Sequence, residues 1–207
     1  MEIINTKEFK TALKHLLPIV AIESPRNYGR VLYFDKTHLV ATDGFRLCRV
    51  KIAGLPQESF SIGKPAVKLL KSLLVSYGGT DFQIKYSEEN QQIITVSTRV
   101  AEIKIRVSNV KYPKYESVFP SAFDRSLQTD LDILTGEISK NTVTNEKNKY
   151  MAVDMNHTLG KNILLNYDFL NHATKFLDKF TMKSNLLEDP VLVQSGNVEH
   201  LIVPIRA

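Results

Sequence analysis

The sequence of 207 residues contains one cysteine, Cys48, and no long run of apolar residues. A lone cysteine excludes an intrachain disulfide and a zinc site built from several thiolates. The longest uninterrupted apolar stretch, residues 16–22, is far too short to cross a bilayer. The first ten residues lack the basic-then-apolar layout of a secretory signal. These absences predict a cytoplasmic protein with no membrane partner.

Signatures of catalysis are also missing. No nucleophile elbow, phosphate-binding loop or dinucleotide fingerprint occurs. The five histidines are scattered, and none lies three or four residues from another, so a helical metal-binding pair is absent. Asp154 and His157 are three residues apart, but their polar context favours a turn over a metal site. The sequence therefore predicts a binding protein that is not an enzyme and uses neither a metal nor a cofactor.

Positive charge is concentrated in the first part of the chain. The whole sequence carries a formal charge of +5, from 27 Lys and Arg and 22 Asp and Glu. Residues 1–120 hold a net charge of +7, and residues 121–207 hold −2. A basic surface favours a polyanionic partner, of which nucleic acid is the commonest. The plainer interpretation, a solvated basic surface that keeps the protein soluble, stays open.

One pattern occurs three times along the chain: a short strand, an amphipathic helix, and a run of antiparallel strands. Asn5 is predicted to cap the first helix, with Glu8 completing a capping box. Pro65 is predicted to open the second helix. Asn166 is predicted to cap a third helix whose apolar face extends to Phe180. The pattern indicates an α+β architecture in which each helix covers one side of a sheet.

Lysines lie opposite the apolar positions of these predicted helices. Such lysines usually form only the solvated face of an amphipathic helix. Their recurrence on three helices favours a continuous basic surface that contacts nucleic acid. The predicted DNA-facing set is Lys7, Lys10 and Lys14 on the first helix, Lys64, Lys68 and Lys71 on the second, and Lys175 and Lys179 on the third.

The remaining segments are predicted to be strands and turns. Asp43-Gly44 indicates a hairpin turn, because both residues tolerate positive φ. The second half is less regular: residues 131–139 and 150–155 are predicted as strands, and residues 126–136 are the only candidate for a first helix there. The other predicted strands cover residues 2–4, 30–35, 38–42, 45–52, 60–62, 82–86, 93–97, 101–107, 191–194 and 200–205.

Three segments, taken together and in this order, resemble a known family. They are residues 41–47 (A-T-D-G-F-R-L), residues 112–120 (Y-P-K-Y-E-S-V-F-P) and residues 202–206 (I-V-P-I-R). They resemble the sliding clamp of bacterial DNA polymerase III, the beta subunit. Residues 1–120 are similar to the middle domain of that family, and residues 121–207 to a shortened form of its third domain. The first domain of the family has no counterpart here, and the basic charge departs from clamps that tend to be acidic.

The resemblance implies a function in DNA replication or repair. Clamps of this family encircle duplex DNA, tether a polymerase and hydrolyse nothing, so a processivity factor with the DNA clamp fold is expected. The implied partners are duplex DNA, DNA polymerase and other proteins with clamp-binding peptides, and a clamp loader is a further candidate. The family ring has six domains, so a two-domain chain would complete it as a homotrimer.

The resemblance also implies a pocket for partner peptides between the two domains. Leu47, Val118, Val203 and Ile205 would give apolar walls, and the arginines would meet a peptide carboxylate or carbonyl. Without the resemblance, these apolar residues are better interpreted as core at a domain junction. The matching positions are Thr42, Gly44, Arg46, Leu47, Pro113, Val118, Val203, Pro204, Ile205 and Arg206.

Two other functions stay open. One is a ring-less, clamp-like adaptor that binds clamp-interacting peptides or competes for them. The other is a small DNA-binding enzyme, against which the lack of clustered carboxylates or histidines argues. The mass of the protein in solution distinguishes the clamp from the adaptor.

Overall fold

The computed structural model describes residues 3–21, 23–77, 79–87, 92–145, 150–155, 159, 163–185 and 189–205. The chain divides into two compact units, Met1–Pro113 (unit 1) and Lys114–Ala207 (unit 2). The sequence-based division follows residue 120, within the segment that links the strand ending at Arg106 to the strand beginning at Arg125. Among the described residues, no helix combines the length and apolar character needed to cross a membrane.

Unit 1 contains two repeats that exchange their first strands. Its strands run in the antiparallel orders β5-β2-β3-β4 and β1-β6-β7-β8. The first strand of each repeat therefore joins the sheet of the other, because β1 pairs with β6 and β5 pairs with β2. The elements are β1 Ile4–Asn5, α1 Thr6–Leu16, β2 Val31–Asp35, β3 His38–Thr42, β4 Arg46–Lys51, β5 Phe60–Gly63, α2 Lys64–Tyr77, β6 Asp81–Ser87, β7 Ile93–Ser97 and β8 Glu102–Arg106.

Helix α1 begins where the sequence predicts. The Asn5 side chain accepts a hydrogen bond from the backbone N–H of Glu8 at 3.1 Å, which satisfies one of the free donors of the first turn. The apolar face of the helix is fully buried, and the Phe9 ring meets the Phe82 ring edge-on at 5.1 Å. This contact joins α1 to β6 and so links the two sheets through the core.

Helix α2 also has the predicted core face, since Val67, Leu70, Leu73 and Leu74 are all buried. The two helices contact each other, and both cover the sheet β5-β2-β3-β4: α1 contacts β3 and β4, and α2 contacts β2 and β5. Unit 1 therefore confirms the predicted α+β arrangement of amphipathic helices on an antiparallel sheet.

Unit 2 repeats the plan on a smaller scale. Its strands run in the orders β15-β14-β13-β9 and β10-β11-β12, and the first strand of each repeat again joins the other repeat's sheet, β9 against β13 and β12 against β11. The second of these sheets has three described strands, where its counterpart in unit 1 has four. The elements are β9 Arg125–Asp130, α3 Leu131–Asn141, β10 Thr142–Asn145, β11 Tyr150–Asp154, β12 Leu164–Asn166, α4 Tyr167–Thr174, β13 Lys179–Ser184, β14 Val191–Ser195 and β15 Val198–Ile202.

The predicted strand over residues 131–139 is wrong, because this segment forms α3. The carboxylate of Asp130 accepts a hydrogen bond from the backbone N–H of Ile133 at 2.9 Å and so caps the helix. Leu134 is the buried anchor of the helix, whereas Ile133 is 59% exposed. Apolar and polar residues alternate at the start of the segment, as they would in a strand, but the alternation does not continue beyond it.

The predicted third helix is too long, and the placement of two lysines on it is wrong. Helix α4 is capped by Asn166 as predicted, but it ends at Thr174, and the Lys175 backbone N–H closes its last turn on Asn171. Lys179 is the first residue of β13, in which Phe180, Met182 and Ser184 are buried alternately. The position of Phe180 fits both a helical spacing and a strand alternation. The segment forms a strand because β13 pairs with β9 and β14.

Candidate functional site

Unit 1 carries six of the predicted DNA-facing lysines on its two helices. On α1, Lys7 and Lys14 are exposed and Lys10 is half-buried; the acidic Glu8 lies in the first turn. On α2, Lys68 and Lys71 are exposed and Lys64 is half-buried. Because α1 and α2 contact each other on one sheet, their lysines lie on neighbouring helices.

The charges on α2 are crowded. Partial burial, and then the positive charge of Lys68, lower the pKa of Lys64 from its ordinary value of 10.5. No acidic residue occurs in α2 to offset this repulsion. An anion placed beside Lys64 and Lys68 would offset this repulsion.

The turn between β3 and β4 holds four of the ten predicted pocket residues. Thr42 and Leu47 face each other across the hairpin and are buried. The Thr42 hydroxyl donates to the Arg46 carbonyl at 2.7 Å and accepts from the Gly44 N–H at 3.1 Å. The Asp43 carboxylate accepts from the backbone N–H groups of Phe45 and Arg46, each at 3.0 Å. The turn is therefore fixed by its own side chains before any partner binds.

Arg46 is engaged within unit 1. Its Nε donates to the Asp43 carboxylate at 2.9 Å, and one terminal nitrogen donates to the Pro18 carbonyl at 3.3 Å. Only 13% of its side chain is exposed. These contacts hold the guanidinium in place against unit 1.

Gly44 makes room for a residue that the sequence does not reveal. Its φ is +91°, and a Cβ built there would lie 1.6 Å from a terminal nitrogen of Arg26. The Arg26 guanidinium also lies over the Phe45 ring, 5.6 Å from its centroid, and Phe45 is 59% exposed. Arg26 and Phe45 therefore form a cation and aromatic pair at the turn. Arg26 belongs to no motif, and only tertiary contact brings it to Gly44.

The predicted pocket residues of unit 2 lie on two segments. Val118 ends the short 3₁₀ helix Tyr115–Val118 and is 47% exposed. Val203 directly follows β15 and is 44% exposed, whereas Pro204 is buried. The backbone N–H of Ile205 donates to the Leu164 carbonyl at 2.7 Å, which ties the segment to β12. Arg206 lies outside the described residues, and Pro113, the last residue of unit 1, is exposed.

The two lysines displaced from the third helix have local contacts. The Lys175 amine lies 4.8 Å from the centroid of the Phe176 ring, and the Lys179 carbonyl accepts a hydrogen bond from the Ser195 hydroxyl at 2.6 Å. In the described part of the chain, no group of three or more His, Cys, Asp or Glu side chains is arranged to hold a metal.

Comparisons with known proteins identify the fold. No family model and no curated protein matches the chain. Solved structures do match, among them the DNA polymerase sliding clamp from Pseudomonas aeruginosa (16% identity, TM-score 0.79, 99% of this chain and 65% of that one). The DNA polymerase III beta subunit from Thermotoga maritima matches at 17% identity and TM-score 0.78, and a beta sliding clamp from Caulobacter crescentus at 16% and 0.80.

The chain spans about 65% of the length of these solved clamps and is itself covered almost completely. The fold is that of the bacterial DNA polymerase sliding clamps, as the three sequence segments predicted.

Proposed function

We propose that this chain is a clamp-like processivity factor without enzymatic activity, which binds duplex DNA and tethers replication or repair proteins. The observation that carries the proposal is the match to bacterial sliding clamps over 99% of the chain. The lysines on the neighbouring helices α1 and α2 support it, because they offer cations without an array of side chains suited to reading bases.

Binding to DNA would rest on phosphate contacts. A protein that slides must hold the backbone and remain indifferent to sequence, and Lys side chains meet both needs. The proposed contacts are those of α1 and α2: Lys7, Lys10, Lys14, Lys64, Lys68 and Lys71. Lys175 and Lys179 are not carried by a helix, so we expect a smaller contribution from them.

The proposal is tested by reversing charge on the two helices. Changing Lys10, Lys14, Lys68 and Lys71 together to Glu should weaken binding to any duplex at least a hundredfold and flatten its salt dependence. The matched control changes Lys36, Lys51, Lys85 and Lys104, which are exposed lysines of unit 1 outside these helices, to Glu. Equal losses for the two quadruple variants would contradict a DNA surface on α1 and α2.

Partner proteins would bind through a pocket formed by Thr42, Gly44, Arg46, Leu47, Pro113, Val118, Val203, Pro204, Ile205 and Arg206. Its support is that Val118 and Val203, two apolar side chains, are nearly half exposed, while the β3–β4 turn is held rigid by its own hydrogen bonds. Exposed apolar side chains and a rigid turn are the elements that binding of a short apolar peptide requires.

A ring of three copies would provide six clamp units and so enclose the duplex. The strand order leaves β8 at one edge of its sheet in unit 1, and an edge strand offers unpaired backbone groups to a second chain. The ring-less adaptor is the second candidate, and the short helix α4 of unit 2, of 8 residues against 14 in α2, favours it. Sedimentation velocity distinguishes them: a trimer supports the ring, whereas a monomer at high concentration supports the adaptor.

A further inference from the structure

An open cleft of about 500 Å³ lies within unit 2, where β9, β13 and β14 run side by side. Its volume is within the range of sites for small ligands. Two rows of cross-strand partners line it. One row pairs Asp130 with Lys179, and the other pairs Gln128 with Thr181 and Thr181 with Gln194. Residues two apart on a strand point to the same face, so the two rows lie next to each other on one face of the sheet.

The two charged side chains of the cleft are neighbours that are not paired with each other. Asp130 and Lys179 lie directly opposite each other on β9 and β13. Within the described part of the chain, neither is joined to an oppositely charged side chain. The Asp130 carboxylate is instead held at the start of α3, where one of its oxygens accepts the Ile133 N–H at 2.9 Å. Its other oxygen and the Lys179 ammonium group are therefore available to a ligand.

The other described lining residues are uncharged and offer both hydrogen bonds and apolar surface. Ile133 is 59% exposed and gives an apolar wall. Gly196 lines the cleft after β14, and a Cβ built there would meet no atom within 4 Å, so the space beside it is open. The side-chain carbonyl of Gln194 accepts a hydrogen bond from the Lys183 amine at 3.0 Å. This bond orients the amide and leaves its N–H groups to donate to a ligand.

We propose that this cleft binds a free α-amino acid with an aliphatic side chain, such as leucine. The carboxylate of the ligand would meet Lys179 and the Gln194 amide, and its ammonium group would meet the carboxylate of Asp130. The aliphatic side chain would lie against Ile133. Directly opposite residues have Cβ atoms about 5 Å apart, so one small ligand can contact both charges. Asp130 would repel a purely anionic ligand and Lys179 a purely cationic one, so the pair selects a zwitterion.

The test titrates the full chain with L-leucine and follows the backbone amide resonances by NMR. The amides of Thr181 and Gly196 should shift, and those of α1 and α2 should not, which makes the result independent of the proposed DNA surface. N-acetyl-L-leucine lacks the ammonium charge and L-leucinamide lacks the carboxylate, so each should bind at least about fivefold more weakly than leucine. The inference is overturned if leucine shifts no resonance of the cleft, or if either blocked compound binds as tightly as leucine.

Two variants assign the contacts of the ligand. Lys179→Gln should weaken leucine binding at least about fivefold and remove the preference for leucine over leucinamide. Asp130→Asn should remove the preference for leucine over N-acetyl-leucine, and it keeps the cap of α3 because Asn caps a helix as well as Asp. The matched controls are Lys114→Gln and Asp178→Asn, at exposed residues of unit 2 outside the cleft, and they should change binding less than about twofold. Unchanged preferences in both cleft variants, or equal losses in the controls, would overturn the inference.

Discussion

Unit 1 and unit 2 share one arrangement of strands and helices but differ in the size of individual elements and in charge. Both exchange the first strands of their repeats, but unit 1 has the longer second helix, of 14 residues against 8. The sheet of its first repeat has four strands, where three are described in unit 2. Charge follows the same division, with the net positive charge in residues 1–120 and a slightly negative charge in residues 121–207. The comparison teaches that a fold can be kept while one copy is reduced, provided that each copy buries its own core.

The largest expected effect tests whether the core of unit 2 is packed as tightly as that of unit 1. Leu70 on α2 and Leu170 on α4 are both fully buried. Leu70→Ala and Leu170→Ala should each lower the free energy of unfolding by about 2–5 kcal/mol, because each leaves a cavity. Urea unfolding gives the loss, and hydrogen exchange should locate the reduced protection in the mutated unit. A loss below about 1 kcal/mol for Leu170→Ala would mean that unit 2 is loosely packed.

A second prediction concerns the exposed valines of the two units. Val203→Asp should weaken binding of a short peptide that carries Leu and Phe by about tenfold or more, since burial of an apolar side chain contributes roughly 1.5–3 kcal/mol. Wild-type affinity should be micromolar. Val100→Asp is the matched control, because Val100 in unit 1 is 75% exposed and outside the proposed pocket. Isothermal titration calorimetry measures both variants.

Deleting residues 203–207 should abolish peptide binding while duplex DNA binding is retained. The deletion also removes the hydrogen bond from Ile205 to Leu164, so circular dichroism must accompany the assay. Retained peptide binding by the deleted protein would exclude the C-terminal segment, residues 203–207, from the pocket.

The third prediction compares two glycines with positive φ. Gly44→Ala should lower the free energy of unfolding by about 2–3 kcal/mol, because a methyl group is strained at this φ and displaces Arg26. Gly196→Ala, in the turn between β14 and β15, meets no atom within 4 Å and should cost only about 1 kcal/mol. Thermal unfolding of the two variants measures the difference. Equal losses would show that the Arg26 contact carries no energetic weight.

The smallest expected effect lies on α2. Lys64→Gln should raise the free energy of unfolding at pH 7 by about 0.2–0.5 kcal/mol, because it removes a partly buried charge and its repulsion with Lys68 one turn away. The pKa of Lys64 is lowered by folding, so the unfolded chain binds more protons just below pH 10.5 and the stability of the wild type rises with pH there. The advantage of the variant should therefore vanish above that pH. The same variant should weaken DNA binding. A variant that is both more stable and binds DNA more tightly would argue against a contact between Lys64 and phosphate.

The sequence allowed unit 1 to be predicted in more detail than unit 2, for physical reasons. Asn5, Pro65 and Asp43-Gly44 are local signals whose meaning depends little on tertiary contacts, and they mark the helices and the hairpin of unit 1. In unit 2 the start of α3 has the apolar–polar alternation typical of a strand. The position of Phe180 fits both the helical and the strand period, so the structure of that segment is set by strand pairing. The position of Arg26 could not be predicted from the sequence, since its contact with Gly44 depends on how the loop that carries Arg26 folds back against the β3–β4 turn.

The exchange of first strands has a consequence for how unit 1 folds. Ile4 pairs with Phe82, so the smallest element of the first repeat finds its place only after most of the unit has been synthesised. Pairings so distant in sequence raise the contact order and slow folding, because the chain entropy of closing the loop is lost before the contact forms. Neither repeat is a complete folding unit alone, since a chain cut between β4 and β5 leaves each fragment with a strand that belongs to the other. Two such fragments should reassemble when mixed, and the rate of that reassembly would measure how far the interleaved strands delay the native state.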